Sequence, residues 1–220
     1  MKEDELVEMV VKDVEEVLDV DKVMDDMSFD DLMEDEEKLD QLCFILENRR
    51  VTLVEKYGQR EIMALVGFEA GYQLCLIPKH SPRVADSLAF QTLVAFHRLG
   101  VTLEKTVVSG EVEDMMQTTV YMRKPDGSPM EMKLMLDDAL LLSVLGQIPF
   151  YVTRGFLETK GRDTSEHGKN KELFLLELMT DEMLEKEMEE AIRRENYEYA
   201  GLVKQVQDAR KQEAAGNLTD

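Results

Sequence analysis

The sequence predicts an α+β fold: a mostly antiparallel sheet with few packed helices, an N-terminal helical arm before it and a C-terminal αα-hairpin after it. Three observations carry this. Between Val51 and Lys160, short runs rich in β-branched residues are separated by tight Gly- and Pro-containing turns, the pattern of antiparallel pairing. Before that region, apolar residues recur at helical spacing within a strongly acidic stretch. After residue 180, two helical patterns flank the short break Glu195-Asn196.

In chain order, Leu6, Met9, Val10, Val14, Val17 and Leu18 fit one face of a first helix. Ser28 with Asp31 resembles a capping box. Phe29, Leu32, Leu39, Leu42, Cys43 and Leu46 would line a second helix behind it. Asp19-Val20-Asp21 lacks the central Gly and the spaced acidic ligands of a calcium loop, so none is assigned. Three meander strands follow: Val51–Tyr57, Ile62–Phe68 and, after the turn Glu69-Ala70-Gly71, Gln73–Ile77. Ser81-Pro82 opens a helix by N-cap and first-turn chemistry, and Gly100 ends it. A strand over Val101–Val108 precedes a hairpin, Gln117–Arg123 with Met130–Leu136, around Pro125-Asp126-Gly127-Ser128. A short helix from about Asp138, a strand over Pro149–Val152 and a helix from Arg154 complete the domain. The polar, Gly-containing run Lys160–Lys171 reads as a linker. Thr180 caps the next helix, and Tyr197–Gln212 forms its partner. The expected segments are an acidic helical arm over 1–48, the sheet domain over 49–160, a linker over 161–179, the hairpin over 180–212 and a tail over 213–220.

The 220 residues carry a formal charge of −21. Eighteen Asp or Glu against four Lys fall in Met1–Asp40, which holds two thirds of that charge. Such a surface repels nucleic acid, whose affinity for proteins comes from Lys and Arg at the phosphates. A nucleic-acid role therefore needs a local basic patch or a metal ion. The acidic arm has two readings, solvated helices resting on the core or a cover that meets a basic groove or partner. Cys43 and Cys75 make no Cys-x-x-Cys pair, and two cysteines fit a reducing compartment. No secretory or membrane-spanning run is read, so a cytoplasmic protein without a membrane partner is expected.

Candidate site residues follow. Asp137 and Asp138 either start a helix, where carboxylates complement the dipole, or serve as metal ligand or general base. Glu111, Glu113 and Asp114 are the acids that the fold could bring beside them. Lys79, His80 and Arg83 cluster at the expected helix start near Ser81 and are the candidate phosphate contacts. The alternative is a surface loop whose cations pair with the acidic arm. His97 suits a helix C-terminus, and His167 falls in the linker. No Ser-His-Asp order, Gly-rich phosphate loop or metal-spaced His pair is present. The fifteen Met residues are read as core filler and adaptable contact surface.

Two stretches resemble known families. Leu184, Met188, Ala191, Glu195, Tyr197, Glu198 and Ala200 follow the spacing of the UVR (UvrB/UvrC-type) helical hairpin, although Val203-Lys204 replaces the family's usual Arg-Asp. The middle region resembles a divergent bifunctional nuclease domain over roughly Val51–Glu158. Asp138-Ala139-Leu140, Leu142 and Pro149-Phe150-Tyr151-Val152 keep that family's signature. Met135, Leu136 and Asp137 stand where the family has Arg, Pro and Ser, and Lys133 replaces its first Asp. The resemblance implies phosphodiester hydrolysis of DNA or RNA at Asp138 and Asp137, with a divalent metal such as Mg or Mn, weakened by these replacements. It equally implies a non-catalytic adaptor that meets a protein partner, or a second copy of itself, through the UVR-like hairpin.

Overall fold

The computed structural model describes residues 5–17, 36–112 and 115–216. The chain is mixed α/β. Its strands are β1 (Leu6–Glu16), β2 (Asn48–Glu55), β3 (Arg60–Gly67), β4 (Thr102–Val112), β5 (Met115–Arg123), β6 (Pro129–Leu134), β7 (Phe150–Thr153) and β8 (Arg162–Asp163). Its helices are α1 (Glu36–Glu47), α2 (Phe68–Leu76), α3 (Leu88–Arg98), α4 (Leu136–Gly146), α5 (Arg154–Lys160), α6 (His167–Glu177), α7 (Asp181–Arg193) and α8 (Tyr197–Gly216). Eight helices among the described residues are more than the few expected.

One mixed sheet runs in the order β6-β5-β4-β7-β1-β2-β3-β8. Among the described residues, only the β4–β7 pairing is parallel. The chain divides into two compact units, residues 1–16 with 47–165, and residues 17–46 with 166–220. In the first unit, Val7, Met9, Val51, Leu53, Ile62, Ala64 and Val66 from the strands pack with Leu74, Leu140, Leu141 and Leu157 from the helices. Period-2 alternation puts these strand residues on one face of the sheet. In the second unit, Leu173 and Leu176 of α6, Leu184 of α7, and Leu202, Val203 and Val206 of α8 form a separate core. Arg210 of α8 donates to the carbonyls of Glu177 and Met179 and pairs with Asp181 at 2.6 Å, tying together the end of α6 and the start of α7.

Several expectations are corrected. Leu6–Glu16, within the stretch expected to be the first helix, is strand β1, and Leu18 lies outside the described residues. Its apolar positions also alternate (Val7, Met9, Val11), and pairing with β2 and β7 selects that period. The arm therefore does not extend over 1–48, because β1 lies inside the sheet. The capping box Ser28–Asp31, with Phe29 and Leu32, lies outside the described residues. In α1, Cys43 is exposed, whereas Ile45, which was not on the expected face, is fully buried.

The third meander strand, Gln73–Ile77, is instead part of helix α2. Gly71 is no turn residue. A Cβ there would lie 2.5 Å from Cγ of Arg49, so the glycine lets α2 settle onto β2. Ser81-Pro82 opens only a short 3-10 helix, Pro82–Asp86, without a side-chain capping bond, and it is Ser87 that caps α3 by accepting from the Phe90 N–H. The linker over 161–179 contains β8 and helix α6, whose Asn170, Leu173 and Leu176 are buried. Its polar first half masked the apolar second half, Leu173-Phe174-Leu175-Leu176.

Among the described residues, the non-glycine positions with positive φ are His80, Gln147 and Glu195. Each terminates a helical turn. Ser81, Ile148 and Asn196 N–H groups reach back to Leu76, Ser143 and Ala191, at 3.3, 3.0 and 2.8 Å. His80, Gln147 and Glu195 N–H groups reach Ile77, Val144 and Ile192. That double bond pattern is the Schellman ending, in which the left-handed position usually belongs to glycine.

Candidate functional site

The acidic pair sits at the first turn of α4. The N-cap of α4 is Met135, which makes no side-chain capping bond. Asp137 does not cap its own helix. Its Oδ2 accepts the Gly67 N–H at 2.8 Å, seventy positions away in the chain, where β3 turns into α2. Gly67 is the N-cap residue of α2 and offers no side chain of its own to that helix start. Asp137 therefore supplies an acceptor and a negative charge at the positive end of a different helix. A Cβ on Gly67 would come within 3.1 Å of that oxygen, so the missing side chain admits the contact.

Burial pushes the Asp137 carboxyl above its ordinary range. The Gly67 N–H pulls it partly back, and the neighbouring Asp138 charge adds to the rise. Asp138 is exposed. The roles expected for the pair are thus redistributed: Asp137 joins two helices across the fold, and Asp138 faces solvent beside it. A buried hydroxyl pair also fixes α4. Ser143 donates to the Ala139 carbonyl at 2.7 Å, which leaves Thr106 of β4 to donate to Ser143 at 2.6 Å.

The basic cluster lies elsewhere. Lys79, His80 and Arg83 are all exposed and follow the C-terminal end of α2, whereas Asp137 meets its N-terminus. From Gly67 to Leu76 the helix rises roughly 13 Å. Lys79 and His80 therefore follow the end of α2, where the dipole favours a cation such as Lys79, and precede the short 3-10 helix that begins after Ser81. Arg83 donates to the Tyr72 hydroxyl at 3.0 Å. Glu111 pairs with Lys160 at the end of α5. Glu113 and Asp114 lie outside the described residues. His97 is exposed in the last turn of α3, and His167 opens α6.

Among the described residues, no group of three or more His, Cys, Asp or Glu converges in a way that could hold a metal ion. A divalent cation needs several oxygen ligands or a substrate that completes its shell. Asp137 is engaged with Gly67, and Asp138 stands without a second acidic ligand among the described residues. The side chains present at this site do not fit the implied metal.

The sequence reading missed an aromatic cluster on α2. Phe68 and Tyr72, one helical turn apart, stack with ring centroids 6.2 Å apart and planes 3° from parallel. The Arg49 guanidinium lies over Phe68, 4.8 Å from its centroid, and also pairs with Glu16 at 3.0 Å. The i, i+4 spacing of Phe68 and Tyr72 was the available signal, and reading this stretch as turn and strand concealed it. Among the described residues, no helix is long and apolar enough to cross a membrane. The chain matches no family model, and no curated protein matches it.

Proposed function

We propose that this chain is a binding protein. It would combine a domain of the bifunctional-nuclease type, which keeps the family's signature segment in a structural role, with a UVR-like hairpin formed by α7 and α8 that meets a protein partner. The observation that carries this reading is the Asp137–Gly67 hydrogen bond. It commits the better-placed carboxylate of the pair to holding α4 against α2. The remaining acid, Asp138, would have to act with no second carboxylate beside it among the described residues. Hydrolysis of DNA or RNA with Mg or Mn would then rest on Asp138 alone or on Glu113 and Asp114.

The helices α7 and α8 support the contact role. The motif positions Leu184 and Ala191 are buried, as is Leu202, so they would form the inner seam. Thr180 caps α7 by accepting from the Met183 N–H, and Asn196 accepts from the Tyr199 N–H at the start of α8. Ile192 and Tyr197 flank the break between the helices and are 55% and 71% exposed. Large apolar side chains exposed on either side of one turn suit a partner better than solvent.

The test is sedimentation of the full chain alone and with a purified protein bearing a UVR-type hairpin. The expected result is a complex, with itself or with that protein, that Ile192→Asp and Tyr197→Ala weaken by about tenfold or more. A chain that stays monomeric and binds neither would overturn the reading.

A further inference from the structure

We infer that the aromatic face of α2, with Arg49 and Arg83 on either side, is a second docking surface, and that its occupant is an acidic peptide segment carrying an apolar or aromatic side chain. This surface belongs to the sheet unit and does not depend on the hairpin reading.

The surface is built from the sequence upward. Ala70, Gly71, Gln73 and Leu74 form the buried side of α2. Phe68 and Tyr72 fall on the opposite side and remain 50% and 37% exposed. Gly71 leaves room for the Arg49 stem beneath the helix, so the guanidinium emerges over the Phe68 ring. At the other end of the row, Arg83 reaches only the Tyr72 hydroxyl. Among the described residues, no carboxylate takes Arg83, in a chain with 47 acids and 26 bases. One of its donors goes to a neutral oxygen, and the guanidinium fork that fits a carboxylate is unused by one. Lys79, in the same loop, adds positive charge nearby.

Two stacked rings between two guanidiniums match the make-up of binding hot spots, where Tyr and Arg anchors dominate. Charge selects the occupant. A carboxylate at Arg83 with an apolar side chain over the rings satisfies both features at once. A nucleic acid is disfavoured, because its affinity grows with the number of phosphates neutralised. Here one of the two guanidiniums already holds Glu16. Glu69, on the same helix, is held by the Gln73 amide at 2.8 Å, and acids beyond about 8 Å are largely screened at physiological salt, which leaves Arg83 and Lys79 as the local cations.

The experiment selects peptides of about twelve residues from a random displayed library on the immobilised full-length chain. Selected peptides are then measured by fluorescence anisotropy at physiological salt, beside an oligothymidylate of similar length. The expected result is enrichment of Asp or Glu next to Phe, Tyr, Trp or Leu. Binding should fall about tenfold with Arg83→Gln and with Phe68→Ser. Arg83 is fully on the surface, so its variant tests the site even if Phe68→Ser disturbs folding. Selection of basic peptides, no enrichment, equal binding to Arg83→Gln, or tighter binding of the oligothymidylate would each overturn the inference.

Discussion

At the residue scale, Asp137 shows how a catalytic-looking acid can serve the fold. Asp137→Ala leaves the Gly67 N–H without its acceptor and should cost about 1–2 kcal/mol in urea unfolding near neutral pH. Asp137→Asn keeps an oxygen for that N–H and removes the charge. The sign of its pH dependence follows from the raised carboxyl. The folded state holds the Asp137 proton more tightly than the unfolded chain does. Its stabilising contribution is therefore complete below the ordinary carboxylate range and is lost as pH rises through the higher folded value. Asp137→Asn should gain stability relative to the parent at pH 7, and the gain should vanish near pH 3. An offset that is the same at both pH values would contradict this. The sequence did single out Asp137 and Asp138 as acids that start a helix or serve a site, but not the helix that Asp137 serves. The partner of Asp137 is a backbone amide far away in the chain, which no local spacing reveals. Lys79 and His80 were likewise noticed ahead of the turn of helix that Ser81 opens, but the longer helix that they follow, α2, was not.

At the element scale, turns and caps were legible where the chemistry is local. The β2–β3 and β5–β6 hairpins, the Thr180 cap and the break at Glu195-Asn196 all follow from neighbouring residues. Helix α2 was not legible, because Glu69-Ala70-Gly71 carries the composition of a turn. Its glycine answers instead to Arg49 in another strand. Gly71→Ala should therefore destabilise by about 1–3 kcal/mol despite the better helix propensity of alanine, since the Arg49 stem has to move. A rise in melting temperature would show that the close approach is absent. Glu195 gives the opposite prediction. It holds a left-handed conformation (φ 56°) at the end of α7, so Glu195→Gly should raise stability by about 1 kcal/mol. Thermal unfolding followed by circular dichroism checks both variants.

At the scale of the whole molecule, the sequence hides the way the first unit closes. Strand β1 pairs with β2 and with β7, nearly 150 positions later (Leu6 with Thr153). Only that pairing distinguishes a strand from the helix its spacing also allows, which is why an N-terminal arm was read where a central strand stands. The second unit was half visible, because the apolar half of α6 follows a polar run. The helix expected from about Asp138 and the strand expected over Pro149–Val152 occur in that order, as α4 over Leu136–Gly146 and β7 over Phe150–Thr153. The central claim is that the acids in this segment support the fold and do not perform hydrolysis. The most direct measurement incubates the purified chain with labelled single- and double-stranded DNA and RNA, in Mg and in Mn, with and without chelator, beside Asp138→Asn. The account predicts no cleavage that depends on both the metal and Asp138. Cleavage by the parent chain that chelator and Asp138→Asn each abolish, with the variant still folded, would contradict it.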